Sequence, residues 1–582
     1  MRKVLEFMRP YIWVLCFIAV LLFAEAYSAL VLPGYMADIV NYGVLPGHLP
    51  VIWRTGIIML VITFLGVVAA LVAGYLAAKV ATGVANDLRE AVFQRVLRFS
   101  NAEMNQFNTS SLITRTTNDI TQIQSTLMMA IRQFIYAPII GIGGIIRALD
   151  RSASMTWIIA LASLVMVGTM GIMVVVVMPK FKKVQTLIDR LNLVSRENLS
   201  GILVSRAFST QKFEKRRFSK ANRDLAETNL FVDKAFAFMM PTIMLIMNLT
   251  TALIVWVGAR QAAEFRVDIG DIFAFLQYGM LIIFAFLMVA FMFVMLPRAI
   301  VSAERVREVL ETEGSIRFKK NPVPFPDDFK GVVEFRDVVF HYPDSHEDDE
   351  NVLNGISFTA RPGETTAVIG STGSGKTTVL RLLLRFYDVT SGGIFIDGID
   401  IRDVNKEDLH NRLGYIPQKS LLFTGDIRSN LIYADKDASE ERVREAAEIA
   451  QAAAFIEERP DGYESNVAQG GSNLSGGQRQ RVSIARALVK DAPIYLFDDS
   501  FSALDLKTDS ALRAALKSKM GGKTMIVVAQ RISTIMDANQ IVVLDDGKIA
   551  GLGTHSELMK TCEVYKEIAA SQLSEEELEG SA

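Results

Sequence analysis

The pattern of apolar and polar positions divides the chain in two. Six apolar stretches lie before residue 298, at 11–32, 56–78, 131–149, 156–178, 242–258 and 272–296. Each supplies most of the roughly 20 apolar residues that a membrane-spanning helix needs, and no stretch after residue 331 is that long. The connections between them alternate between short and long. The second and fourth are the long ones, and they carry Arg89, Arg95, Arg98 and Arg115, then Lys180, Lys182, Lys183, Lys212, Lys215, Arg216 and Arg217. With Arg2, Lys3 and Arg9 at the N-terminus, the positive-inside rule puts these connections in the cytoplasm. An even number of spans leaves the C-terminal half on the same side. Within the long connections, residues 85–99 and 187–203 place apolar side chains at helical spacing. The spanning helices are therefore expected to run on into the cytoplasm and turn near 101–111 and 207–213. The competing reading is two solvated loops, although loops of this length without structure of their own are uncommon.

Glu25 interrupts the first apolar stretch. An ionisable side chain at that depth is either functional, facing a cavity, or structural, paired with another helix. The N-terminus resembles a signal peptide in having basic residues before an apolar run. That run is about 20 residues long with no small-residue cleavage site, so a retained helix is expected. With 61 basic and 63 acidic residues, no overall field favours nucleic acid as a partner. Cys16 and Cys562 are the only cysteines, too few for a disulfide framework or a cysteine metal site.

Between residues 310 and 331 the chain turns polar and proline-containing, which reads as a linker. Beyond it the alternation at 332–339 suggests a strand. A short apolar strand at 366–369 leads into Gly370-Ser371-Thr372-Gly373-Ser374-Gly375-Lys376-Thr377, and a helical pattern begins at Thr378. This is the GxxxxGK[ST] phosphate loop between its required strand and helix. Its glycines let backbone N–H groups close on phosphate, Lys376 can reach the β- and γ-phosphates, and Thr377 can bind Mg²⁺. Downstream, Ile494-Tyr495-Leu496-Phe497 is an apolar strand ending in Asp498 and Asp499. Asp498 is placed to position Mg²⁺.

Upstream of that strand stands Leu474-Ser475-Gly476-Gly477-Gln478, and with it the chain resembles the ATP-binding cassette (ABC) family. The resemblance implies that Tyr342 stacks on adenine and that Gln418, in Tyr415-Ile416-Pro417-Gln418, is the Q-loop glutamine at the metal. Ser502-Ala503-Leu504-Asp505 matches the D-loop. It also implies that Ser475, Gly476, Gly477 and Gln478 close over ATP held by another chain, so that one cassette per chain means a dimer. Six spans, two cytoplasmic extensions and a C-terminal cassette resemble an exporter half-transporter. The fold class expected is an α-helical six-span transmembrane domain followed by an α/β P-loop nucleotide-binding domain, the type IV exporter fold. The expected divisions are a transmembrane domain at 1–315, a linker at 316–330, a cassette at 331–570 and a tail at 571–582.

Two positions depart from the family pattern. Asp499 stands where the family has the catalytic Glu, and Gln530 stands where it has the switch His. A carboxylate one methylene shorter falls about 1 Å short, and misplacement of that size can lower a rate about 100-fold. The resulting expectation is a subunit of a bacterial heterodimeric multidrug exporter in the cytoplasmic membrane. Its own ATP·Mg²⁺ site is degenerate, with Asp499, Gln530 and Gln418 as its catalytic positions, and its signature completes the partner's site. Membrane lipid and a hydrophobic small molecule are the other expected partners. The alternatives are a homodimeric lipid or peptide exporter with slow ATPase, or an ATP-gated channel-like member of the family.

Overall fold

The computed structural model describes residues 3, 6–319, 321–343 and 351–573. Arg2, the end of the expected tail (574–582) and the side chain of Lys182 lie outside the described residues. The chain forms two compact units, Met1–Leu97 with Ser110–Glu311 and Arg98–Thr109 with Thr312–Ala582.

The first unit is all helical. Its long helices are α1 (Ile12–Ile39) and α2 (Leu49–Val96); then, beyond the short α3 (Asn101–Phe107) of the second unit, α4 (Ile120–Arg151) and α5 (Thr156–Ser200); and, after the six-residue α6 (Ile202–Ala207), α7 (Gln211–Ala263) and α8 (Ile269–Glu311). Among the described residues, six helical stretches here are long and apolar enough to cross a membrane. At 1.5 Å per residue, the 48 residues of α2 extend about 70 Å, more than twice the hydrocarbon thickness of a bilayer. The helices therefore continue well past the apolar stretches, as the periodicity at 85–99 and 187–203 leads one to expect. They also extend at their other ends, so α1 and α2 are joined by a five-residue π-helical segment (Val40–Val44) and a short turn. The turn before α7 is short, and apolar residues in it and on the helices beside it are largely exposed: Phe208 in the turn, Leu203 on α6 and Phe213 on α7.

Glu25 has a partner that the sequence did not name. Its Oε1 lies 3.7 Å from Nη2 of Arg132 on α4. The pair joins two helices inside the apolar zone, where an unpaired charge would be expensive. At the opposite end, Arg151 bridges Asp38 (3.1 Å) and Asp271 (3.3 Å), tying α4 to α1 and α8.

Among the described residues the second unit holds two larger sheets and a two-stranded antiparallel pair, Gly425–Asp426 with Asn466–Val467. Of the larger sheets, one is four-stranded and antiparallel, in the order β2 (Leu353–Ala360), β1 (Val333–Phe340), β4 (Ser391–Ile396), β5 (Ile399–Asp400). The other has β3 (Thr365–Gly370), β6 (Leu413–Ile416), β7 (Ile494–Asp498), β8 (Thr524–Val528), β9 (Gln540–Asp545) and β10 (Lys548–Gly553). Their spatial order is β10-β9-β3-β8-β7-β6. All neighbours in this sheet are parallel except the β9/β10 pair. A parallel sheet is covered on both faces, so its strands read as continuous apolar runs; β7 is buried at every position.

The division between the units differs from the expected 1–315 and 316–330. The chain leaves α8 at Glu311, and Thr312 already belongs with the cassette. The polar, proline-bearing segment is a strap fastened to the cassette by its apolar residues. Phe325 is buried in the cassette core and packs edge-on against Phe329 at 5.3 Å, and the Val323 N–H donates to Asp403 O at 2.9 Å. Most of the turn expected near 101–111 also falls within this unit, as α3 and the residues up to Thr109, while Ser110 and Ser111 belong to the first unit.

Candidate functional site

Strand register explains why motifs more than a hundred residues apart meet. Val528 of β8 lies beside Val368 of β3 on one side and Asp498 of β7 on the other. Parallel strands in register present their C-terminal ends together, which is where ligands bind in open α/β sheets. The phosphate loop follows β3, Asp498 and Asp499 end and follow β7, and Ala529 and Gln530 follow β8.

The loop itself depends on glycine at specific points. Gly375 has φ +93° and caps α9 (Lys376–Leu383), a conformation that disfavours any side chain. A Cβ on Gly370 would lie 2.1 Å from Leu544 O. Ser371, Thr372 and Gly373 are exposed at the loop's crest, while Ser374 is buried with an Oγ that has no partner among the described residues. Backbone closeness, an uncommitted hydroxyl and a helix N-terminus together suit a phosphate group. The Lys376 ammonium donates to Gly370 O (3.0 Å) and Ser371 O (2.7 Å). Burial lowers the Lys376 pKa, and Asp499 opposes that shift.

Thr377 Oγ1 donates to Asp498 Oδ1 at 2.9 Å, which sets a hydroxyl and a carboxylate side by side. Hard oxygen ligands of this kind suit Mg²⁺, so Thr377 and Asp498 could hold it. Asp498 is 2% exposed, and burial raises its pKa against the hydrogen bond from Thr377. The Tyr415 hydroxyl reaches the other oxygen, Oδ2, at 3.5 Å.

Asp499 is held firmly. Its backbone has φ +46°, its N–H donates to Val528 O (2.8 Å), and its carbonyl accepts from Ser502 Oγ (2.9 Å). A non-glycine residue in this region carries strain that the surroundings must hold in place. Burial raises the pKa of its carboxyl. Gln418 Nε2 donates to Asp499 Oδ2 at 3.3 Å, so the Q-loop side chain meets the short carboxylate directly. Gln530 lies two residues past β8 with an exposed side chain, and its carbonyl accepts from Gln572 Nε2 at 2.9 Å.

Tyr342 lies close to the loop's helix. Its hydroxyl is 2.9 Å from Thr378 Oγ1 and accepts from Arg381 Nη1 at 3.3 Å. Its ring meets Phe340 and Tyr387 edge-on at 4.9 and 5.1 Å.

The signature residues form a separate cluster. Ser475 caps α10 (Gly476–Val489): Gln478 N–H donates to Ser475 Oγ (3.2 Å), and Ser475 N–H donates to Gln478 Oε1 (3.0 Å). This reciprocal capping box fixes the helix start and leaves Gly476 exposed. Among the described residues no hydrogen bond links Ser475–Gln478 to the phosphate loop. The D-loop aspartate, Asp505, caps α11 (Leu506–Lys519), with Thr508 N–H donating to it at 3.0 Å.

Sequence reading missed Tyr415, Arg381 and Tyr387. Arg381 sits one helical turn after Thr377, a spacing that was visible. Tyr387 contributes only an aromatic in an ordinary helix end, and no local pattern marks it.

The chain matches the ABC transporter transmembrane region over residues 7–286 and the ABC transporter domain over residues 353–502. An uncharacterized ABC transporter ATP-binding protein of Mycobacterium tuberculosis is 40% identical over 97% of both chains. YfiB of Bacillus subtilis, likewise an uncharacterized ABC transporter ATP-binding protein, is 37% identical over 99% of both. The ATP-dependent lipid A-core flippase of Desulfotalea psychrophila is 33% identical over 83% of both. Among solved structures, a bacterial Atm1-family ABC exporter with ATP bound aligns with a TM-score of 0.79 and 26% identity, covering 98% of this chain and all of the other. This chain belongs to the ABC transporter family: it is a multi-pass membrane half-transporter of the exporter type, with a cassette that binds ATP and couples its hydrolysis to transport.

Proposed function

We propose that the chain is one subunit of a heterodimeric exporter of hydrophobic or amphipathic small molecules across the cytoplasmic membrane. Its own nucleotide site holds ATP·Mg²⁺ and hydrolyses it slowly. Its signature, Ser475 with Gly476, Gly477 and Gln478, completes a fast site on a partner chain that carries Glu and His at the two altered positions.

The observation behind this reading is the environment of Asp499. The loop, Thr377 and Asp498 are intact and within hydrogen-bonding reach of one another. Asp499 is anchored through its backbone at both N–H and carbonyl, so its shorter side chain has little freedom to advance. Gln530 can donate a hydrogen bond but carries no positive charge to set against the γ-phosphate. Binding is therefore retained while the activation of water is impaired.

The substrate class rests on weaker support: the helices of the membrane unit expose apolar surface along their length, and one relative is named as a flippase of a lipid core. That relative favours a second reading, an amphipathic lipid as the transported molecule. Purifying the chain alone and together with its candidate partner tests the pairing. The expected result is slow ATPase alone and fast, substrate-responsive ATPase in the mixed dimer. Full, transport-coupled ATPase from the lone chain would overturn it.

A further inference from the structure

The chain passes between its two compact units three times, at 97/98, 109/110 and 311/312. The residues just inside the cassette at the first and third crossings are joined by a single buried side chain. Glu103, on α3, is 6% exposed. Its Oε2 accepts from the Ser100 N–H at 2.7 Å, and its Oε1 accepts from the Ser315 N–H at 3.0 Å. The first bond belongs to the capping box that starts α3, whereas the second reaches 212 residues along the chain to the strap after α8. The hydroxyls of Ser100 and Ser315 are 2.9 Å apart. A Cβ on Gly314 would lie 3.0 Å from Arg98 O, so the two backbones pass close to each other just before the clasp.

This carboxylate does more than cap a helix. A capping glutamate satisfies its own helix's N–H groups; here one of the two oxygens is used on a different segment. Hydrogen bonds from backbone N–H to an ionised carboxylate are among the stronger ones, and these lower the Glu103 pKa against the effect of burial. The clasp also connects, through Tyr387, to Tyr342, the residue expected to stack on adenine. Asn105 Nδ2, on the same helix, donates to the Tyr387 hydroxyl at 3.5 Å, and the Tyr387 ring packs edge-on against Tyr342.

We infer that Glu103 is a positioning residue for coupling: its carboxylate fastens α3 to the strap at Ser315, so that the ends of α2 and α8 are carried on the cassette as one piece when nucleotide changes it. Glu103 touches neither nucleotide nor substrate, and its loss is expected to uncouple the cassette rather than disable it.

The test uses the full-length chain assembled with its partner in lipid discs. Spin labels in the loops at Gly47 and Ser154 are read with and without ATP and vanadate, beside ATPase kinetics. For Glu103→Ala, and for Glu103→Gln, which keeps the shape but has only one acceptor oxygen, the KM for ATP should stay within twofold of wild type. The ATP-dependent change in label separation should shrink severalfold. Ser100→Cys with Ser315→Cys, added to Glu103→Ala in a Cys16→Ser background, should restore the change when the two thiols are oxidised to a disulfide by an added two-electron oxidant and lose it when the disulfide is reduced. A full-sized change in label separation in both Glu103 variants would overturn the inference. So would a disulfide that forms without restoring it. If Glu103→Ala does not fold, Glu103→Gln carries the same comparison.

Discussion

Replacing Asp499 by Glu adds the methylene that the site lacks, and the structure allows the gain to be bounded. The backbone of residue 499 is fixed by Val528 O and the Ser502 hydroxyl, so the longer side chain must extend outward, toward Gln418. A displacement of about 1 Å at a reacting centre is worth up to about 100-fold, or ~2.7 kcal/mol of barrier. Against this, the new carboxylate must push Gln418 Nε2 from its 3.3 Å contact, and rearranging one hydrogen bond to a charged group costs about 1.5 kcal/mol. The net expectation is a rise of roughly tenfold in hydrolysis at this site, approaching 100-fold if Gln418 finds an equivalent partner. The faster site would mask this in an intact dimer. The assay is therefore single-turnover hydrolysis of radiolabelled ATP in complexes whose partner chain has its catalytic Glu changed to Gln. Gln530→His should add to the effect. If neither Asp499→Glu nor the double variant raises the rate by even twofold, carboxylate reach does not limit this site, and slow hydrolysis must have another cause.

Other substitutions separate binding, folding and catalysis. The Asp498 pKa is raised by burial, so ionised Asp498 is disfavoured in the folded, nucleotide-free cassette. Stability from its neutral form is present below the unfolded aspartate value, near 3.9, and is lost as pH rises through the higher folded value. Asp498→Asn should therefore raise the thermal midpoint of the nucleotide-free protein at neutral pH while weakening Mg²⁺-dependent ATP binding more than tenfold, as differential scanning fluorimetry and nucleotide titration can check. In the wild type, ATP·Mg²⁺ binding should fall on acidification at a pH above the usual aspartate range, a limb that Asp498→Asn should remove. Ser475→Ala loses the α10 cap, about 1 kcal/mol, whereas Ser475→Gly loses only a few tenths. If the hydroxyl serves the partner's ATP, both variants should lower dimer ATPase at least tenfold although the first lowers the melting temperature clearly more than the second.

The phosphate loop, the strand before Asp498 and the signature could be read from sequence because each is encoded locally, by glycine spacing, by a fully apolar run and by a capping pattern. The Gln418–Asp499 contact could not, since it spans 81 residues and depends on β6 and β7 being sheet neighbours. The same holds for Glu25: its depth in α1 was evident, but Arg132 becomes its partner only when α1 and α4 pack. The strap misled in a different way. Its prolines signalled irregular backbone correctly, but not the anchoring of Phe325 in the cassette core. Glu103 did leave a local trace, the Ser-x-x-Glu box at 100–103, but the half of its role that reaches Ser315 has no sequence signature.

The central claim, that the two nucleotide sites of the working dimer are unequal, is tested most directly by comparing two single substitutions in this chain. Lys376→Ala should weaken ATP binding at its own phosphate loop, and Ser475→Gly removes the hydroxyl proposed to complete the partner's site. Steady-state ATPase of the purified dimer should fall less than about threefold with Lys376→Ala, and at least tenfold with Ser475→Gly. Equal losses from the two substitutions would contradict the account, because they would mean that this chain's own site turns over as fast as the one its signature completes.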